Sequence, residues 1–406
     1  MNIRDKLKFI EQIGNKPTAS KQTQTDRIPI EAVIAGENYK STFVISNKFE
    51  ADYVHGNVSL GEALQLSSSY LQLAGKDENL AKIDIEKALF FDTETTGLSG
   101  GSGTYIFLAG FGYFADGQFH VKQFFLRHPG EENFMLNAIA ELIAEKDSFI
   151  SFNGKSFDWP LLKGRMVFHR IWRDIADPVH LDLLHAARRV WKHSLPDCSL
   201  SSLEKSVLNV RRDGDVPSWE IPEIYFRYLR GGDPEPLLPV FYHNKIDILS
   251  LVSLTARLHQ IHRAPIKEAE NDRELFSLAN YYEKTGHFDS AIDIYRQLIS
   301  GEIPASEKQK AQLRLAYCLK RNGQFEQAAA IWQEIISSGS FSFEAHEELA
   351  KYYEHHLKNI QQACQIVTSA LSAIEIKEQL HPMYEIYQMK ESLQYRLNRL
   401  NRKLNH

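Results

Sequence analysis

Apolar positions change period several times along the chain, and each change predicts an element. Ile3, Leu7, Ile10 and Ile13 fall at helical spacing, which predicts a short amphipathic helix over 1–13. Residues 14–27 are polar and aperiodic and read as a mobile linker. Strand-like runs such as 39–45 then mix with a helical stretch near 60–73. From Ala88 the pattern becomes denser. Ala88 to Phe91 is a continuous apolar run, the mark of a buried strand. Residues 104–114 and 118–126 are aromatic and β-branched, with Ala115-Asp116-Gly117 between them, a hairpin signal. Three strands joined by short links predict an antiparallel meander. Phe134, Leu136, Ile139, Leu142 and Ile143 recur at helix period over 131–146, and 147–152 reads as another strand. Helices are predicted over 160–168, 181–191, 201–208 and 236–262.

Beyond about residue 271 the pattern is helical throughout and repeats. Leu278-Ala279 recurs as Leu315-Ala316 and Leu349-Ala350. Gly286 and Ala291 recur as Gly323 and Ala328, and Ala363 holds the last equivalent place. The spacing fits a tetratricopeptide-type array. Small alanines let paired helices approach, and the glycine supplies a left-handed cap. Phe288 and Phe325 follow the glycines, and Lys358-Asn359 replaces the turn in a divergent last unit.

Composition narrows the function classes. The chain has 406 residues, 43% of them apolar, enough for two or three domains with ordinary cores. A net charge of −5 leaves no global basic footprint, so contact with nucleic acid would need a local patch. The three cysteines, Cys198, Cys318 and Cys364, form no Cys-x-x-Cys pair and indicate neither a disulfide framework nor a zinc ribbon. No long apolar run follows the charged N-terminus, so a cytoplasmic chain without a membrane span is expected.

Chemistry concentrates where the first buried strand ends. Asp92 and Glu94 are two apart on a strand and face the same way. Like charges so placed repel unless a divalent cation sits between them. Gly97 can take the positive φ that a tight strand exit needs. The glycine-rich loop 97–104 lacks the Gly-Lys-Ser/Thr ending of a P-loop and leads into a strand, which argues against a nucleoside-triphosphate site. Asp158 lies near a helix start, where a lone aspartate can equally serve as a cap. His243 and Asp247 are four apart and share a helix face. Asp247 is embedded in so apolar a helix that it needs a partner, and a metal would be one.

Together, Asp92-x-Glu94, Asn153-x-x-x-Phe157-Asp158 and His243-x-x-x-Asp247 resemble the three exonuclease motifs of the DEDD superfamily. The middle motif is closest to that of the proofreading exonucleases of B-family DNA polymerases. With the helical repeats attached, the chain is similar to the YprB-type exonucleases. The resemblance implies an α/β ribonuclease-H-like domain, a mixed sheet with flanking helices, over 86–265, followed by an all-α helical-repeat domain over 270–406. Residues 1–85 would be an N-terminal extension. It further implies two Mg²⁺ or Mn²⁺ ions, with Asp92 bridging them, Glu94 and Asp247 completing the first and Asp158 supporting the second.

His243 stands at the spacing where the DEDD pattern has tyrosine, and Tyr242 at the histidine spacing. Either could serve the attacking water, and helical geometry favours His243, since five positions from Asp247 is about 140° further round. Asp182, in a His-Leu-Asp-Leu-Leu-His run, reads as a supporting or helix-start residue rather than a fifth ligand.

Lys163, Arg165, Arg170, Arg173, Arg188, Arg189 and Lys192, interleaved with Phe168, Trp172 and Trp191, read either as a track for a single strand or as charged outer helix faces. Three functions remain in competition: a metal-dependent 3′→5′ exonuclease on single-stranded RNA or DNA, a non-cutting nucleic-acid-binding module, and a scaffold whose repeats bind a protein.

Overall fold

The computed structural model describes residues 29–97, 103–171, 177–339, 341–380 and 384–405. The expected helix over 1–13 and its linker, the loop tip 98–102, and Trp172 and Arg173 lie outside the described residues. The chain divides between Ala264 and Pro265 into two compact units.

The first unit is built on one seven-stranded sheet. Its strands are β1 (Glu37–Tyr39), β2 (Thr42–Glu50), β3 (Ala88–Thr95), β4 (Ile106–Ala115), β5 (Gln118–Phe125), β6 (Ser148–Ser151) and β7 (Val179–Asp182), in the order β1-β2-β5-β4-β3-β6-β7. The expected meander is β3, β4 and β5, paired antiparallel. Asp116 and Gly117, at φ of 53° and 75°, make its second turn in the conformation that suits a two-residue hairpin. β6 and β7 add on in parallel beside β3, so the sheet is mixed.

Two boundaries differ from the sequence pattern. β2 pairs with β5 from Phe43 to Glu50, and β1 pairs with β2, so residues 37–50 belong to this sheet and not to an extension outside it. The segment read as a helix from Leu181 begins as a strand, and its helix starts only at Leu183, where Asp182 accepts from Leu184 N at 3.1 Å and caps it.

Helices α1 (Ser68–Gly75), α2 (Glu132–Ala144), α3 (Asp158–Phe168), α4 (Leu183–Trp191), α5 (Ile221–Leu229) and α6 (Leu238–Arg263) flank the sheet. Leu89 and Phe91 of β3 and Phe111 of β4 share one apolar cluster with Leu136, Ile139 and Ile143 of α2 and Leu162 and Met166 of α3. The alternate residues of the same strands meet α6. Across the sheet Phe90 lies opposite Gly112, and Asp92 opposite Gly110. Both glycines are there for space. A Cβ on Gly112 would come within 2.4 Å of the Phe119 ring and 2.5 Å of Ile248, and one on Gly110 within 2.1 Å of Asn244 Oδ1. Without side chains at these points α6 lies directly on the strands, and most of its residues from Ile246 to Leu258 are buried.

The second unit is an all-helical array: α7 (Asp272–Lys284), α8 (Phe288–Ser300), α9 (Ala305–Arg321), α10 (Phe325–Ser337), α11 (Phe343–Lys351), α12 (Ile360–Leu380) and α13 (Tyr384–Leu404), each packed on the next. Leu278, Leu315 and Leu349, with Ala279, Ala316 and Ala350, are buried at equivalent places. Gly286 and Gly323 have φ of 81° and 80°. Lys358 takes the same left-handed conformation, φ 56°, at the turn where the third unit departs from glycine. Among the described residues no helix is long and apolar enough to cross a membrane.

The packing of α6 on β4 gives a stability prediction. Gly112→Ala should destabilise the first unit by about 1–3 kcal/mol through overpacking against Phe119 and Ile248. Chemical denaturation with unchanged m-value would show it, and a neutral Gly112→Ala would mean that α6 has slack over the sheet.

Candidate active site

Strand β3 runs out of the core into a patch of carboxylates. Its last residues point alternately to the two sheet faces, so Asp92 and Glu94 share the α6 face while Thr93 points the other way. Asn244 of α6 fixes Asp92 from above. Its Nδ2 donates to Asp92 Oδ2 at 3.0 Å, and its Oδ1 accepts from Gln123 Nε2 of β5 at 3.0 Å. Asp92, Gly110 and Gln123 form one row across three strands, so the missing side chain of Gly110 is what admits Asn244.

From the other face comes Asp158, the first residue of α3, whose Oδ1 accepts from Thr93 Oγ1. The turn before it follows β6, with Asn153 in the left-handed conformation at φ 62°. Asp182 holds that turn by accepting from Asn153 N at 2.8 Å, the supporting part foreseen for it. The other oxygen of Asp182 is buried and has no hydrogen-bond partner among the described residues.

One turn beyond Asn244, Asp247 enters the same space. His243 Nε2 lies 3.5 Å from Asp247 Oδ2 and 3.9 Å from Glu94 Oε1. Glu94, His243 and Asp247 each offer one ligand atom, and these atoms lie within 4.8 Å of one another. The Tyr242 ring centroid lies 5.8 Å from Lys245 Nζ.

The electrostatics are those of crowded acids. Burial, then the charges of Asp247, Glu94 and Asp158, hold the Asp92 carboxyl well above the usual carboxylate range. Glu94 is raised for the same reasons: burial first, then Asp247, Asp158 and Asp215, with Arg212 opposing. Burial pushes Asp158 up to about 6 against the Thr93 hydrogen bond.

Arg212 brings a positive charge to this cluster. It donates to Asp247 Oδ1, to Glu204 Oε2 at 2.7 Å and to Asp215 Oδ2 at 3.1 Å. Sequence reasoning missed Arg212, Glu204, Asp215, Asn244 and Gln123. Asn244 could have been noticed as the neighbour of His243 inside the third motif. Arg212 and Asp215 stand in a charge-dense string, Arg211-Arg212-Asp213-Gly214-Asp215, that looks like an exposed turn.

Two other expectations change. Gly97 does not take a positive φ. The strand end is held instead by Thr96 Oγ1 accepting from Tyr105 N at 3.0 Å, and by Thr95 Oγ1 donating to Gly97 O at 3.1 Å. The basic track is largely committed to internal contacts. Arg165 is buried against Glu132, Arg189 donates to the Ala74 and Gly75 carbonyls, Lys163 pairs with Asp177 at 2.6 Å, and Trp191 is in the core. Arg188, Lys192 and Phe168 remain exposed, as does Phe157 beside Asp158.

The residues fit a divalent-metal centre. Several converging oxygens and one imidazole nitrogen, with carboxyls raised by burial and then by one another's charge, make a donor set that a cation would relieve.

Known proteins bear on the same residues. A family model of the RNase_H superfamily matches residues 89–259, and a tetratricopeptide-repeat model matches 310–338, which spans α9 and α10. The uncharacterized protein YprB of Bacillus subtilis (strain 168) is 32% identical over 333 residues, covering 80% of this chain and 79% of YprB.

The raised acids make a pH prediction. An acid whose folded pKa exceeds its unfolded one destabilises the fold above the folded value and ceases to do so below the unfolded one. In chelator, Asp92→Asn should therefore be more stable than wild type at pH 8. The gap should narrow as pH falls through the raised pKa of Asp92 and close near about 4, where the unfolded carboxyls also protonate. Thermal melting across this range tests it, and a wild type at least as stable as Asp92→Asn at pH 8 would contradict the crowding.

Proposed function

The chain belongs to the same family as YprB, with a ribonuclease-H-superfamily domain and a tetratricopeptide repeat of its own, and on that premise we propose that it is a metal-dependent nuclease. The reaction is hydrolysis of phosphodiester bonds in single-stranded nucleic acid, in the 3′→5′ direction. The observation that supports the reading is the cluster of Glu94, His243 and Asp247 at the end of β3, with Asp92 and Asp158 near enough for their charges to be felt there. The direction of cutting rests on the likeness of the three motifs to DEDD exonucleases.

Asp92, Glu94, Asp158 and Asp247 would hold two Mg²⁺ or Mn²⁺ ions. When bound, such ions acidify water and stabilise charge on the attacking and leaving oxygens. The chain's own groups do the rest. Asn244, locked by Gln123, keeps Asp92 in one orientation. His243 Nε2, facing Glu94 and Asp247, takes up or directs the proton of the nucleophilic water. Phe157, about 58% exposed beside Asp158, offers a face on which a base can stack. The helical repeats bind a protein segment and supply no chemistry.

A second reading, a module that grips nucleic acid without cutting, is supported by Arg212. Its guanidinium rests on Asp247, where a cation would otherwise bind.

Labelled single strands of RNA and DNA, incubated with Mg²⁺ or Mn²⁺ and sampled over time, separate the two. Wild type should shorten one of them stepwise from the 3′ end, and Asp92→Asn should abolish this without loss of fold. His243→Ala should be slower by roughly two to four orders of magnitude, with Tyr242→Phe nearly neutral. Binding without cleavage would favour the second reading. Undiminished cleavage by Asp92→Asn, or a severe loss in Tyr242→Phe with a normal His243→Ala, would overturn the site.

A further inference from the structure

We propose that Asp215 is a positioning residue that fixes the tautomer of His243, and that Glu204 and Arg212 hold it in place to do so. The inference rests on the reading above, in which His243 serves the nucleophile. Its structural half can be tested without any activity.

The segment that carries Asp215 is unusually well anchored. It leaves a π-helical turn, Glu204–Leu208, through Asn209 in the left-handed conformation at φ 55°. Glu204, fully enclosed, receives Arg212 Nε at 2.7 Å and Ser250 Oγ at 2.5 Å. Ser250 is in turn 2.9 Å from His55 Nε2. His55 belongs to the small hairpin Val54–Ser59, where Asn57 N donates to Leu208 O at 2.8 Å. Arg212 is thereby fixed at its inner end. At its outer end it donates to Asp215 Oδ2 at 3.1 Å, while Asp215 Oδ1 accepts from Val216 N at 2.9 Å. The carboxylate is held at both oxygens before His243 is considered.

His243 Nδ1 lies 2.8 Å from Asp215 Oδ1 and 3.2 Å from Arg212 Nη1. The two neighbours ask for opposite tautomers, because a carboxylate only accepts and a guanidinium only donates. Asp215 prevails on three counts. Its contact is the shorter. A bare nitrogen lone pair facing a carboxylate oxygen at 2.8 Å would be repelled, whereas an N–H there makes a charge-assisted bond. Arg212 Nη1 has one of its two N–H groups on Asp215 Oδ2 and depends less on His243 than the Asp215 carboxylate does on a donor.

With its proton on Nδ1, the neutral ring presents the Nε2 lone pair to the space between Glu94 and Asp247. The distances there, 3.9 and 3.5 Å, are too long for direct hydrogen bonds and leave that lone pair available to a water. A nitrogen in this state can accept the water's proton. The other tautomer could not.

The test uses the full chain with ¹⁵N-labelled histidine, without added metal, at a pH where the ring is neutral. Long-range ¹H–¹⁵N correlations report the tautomer, and His243→Ala identifies the signal. Wild type should show Nδ1–H. In Asp215→Ala, Arg212 becomes the neighbour of Nδ1, and the signal should switch to Nε2–H.

In cleavage, Asp215→Ala should lower kcat by about 10- to 100-fold with KM unchanged. The double variant Asp215→Ala/His243→Ala should be no slower than His243→Ala alone. An Nε2–H tautomer in wild type would overturn the proposal even if Asp215→Ala failed to fold. So would a full additional loss in the double variant. A wild-type rate in His243→Ala would instead overturn the role of His243, and with it any effect of Asp215 on cleavage.

Discussion

Four carboxylates share the end of one strand, and their mutual repulsion is the constraint that shapes the first unit. Asp92 and Glu94 lie on one face of β3, Asp158 reaches Thr93 on the other, and Asp247 comes down from α6. Burial raises Asp92, Glu94 and Asp158, and the charges of neighbouring cluster acids add to it at Asp92 and Glu94. A fold that places such groups together loses stability there unless something positive is supplied. The surrounding architecture makes the placement possible all the same. The parallel addition of β6 beside the antiparallel meander brings the Asn153 turn and Asp158 to the end of β3. Gly110 and Gly112 let α6 approach closely enough for Asn244 and Asp247 to reach the same point.

Arg212 answers part of that repulsion from within. Its guanidinium spreads over Glu204, Asp215 and Asp247, and burial without partners would be prohibitive for it as well. The pairing also ties the acids to His243 through Asp215. Charge balance and orientation of the imidazole are therefore one problem with one solution, built from the Glu204–Asp215 segment. The anchor extends to His55 and the Val54–Ser59 hairpin, so residues far from the motifs in sequence hold the site.

Much of this could be read from the chain alone. The order and spacing of the acids, the meander with its Asp-Gly turn, and the repeat with its glycine caps are local patterns, and local patterns survive in sequence. Lys358 even keeps the left-handed turn where glycine is lost. What escaped depends on partners distant in sequence. β2 is recognisable as part of the sheet only once β5 is beside it. Arg165 and Trp191 look like surface groups until α3 and α4 are oriented, because composition does not say which way a helix faces. Arg212 and Asp215 sit in a string with every mark of a solvated turn, and only its return onto α6 makes them part of the site.

If these carboxylates hold cations, the ions can be counted. Titration of the full chain with Mn²⁺, followed by electron paramagnetic resonance of the free ion, should show about two ions held per chain. The same titration on Asp92→Asn should show that binding lost or greatly weakened. Wild-type protein that leaves Mn²⁺ free, or an Asp92→Asn chain that binds as many ions as tightly, would mean that these carboxylates are not the cation site.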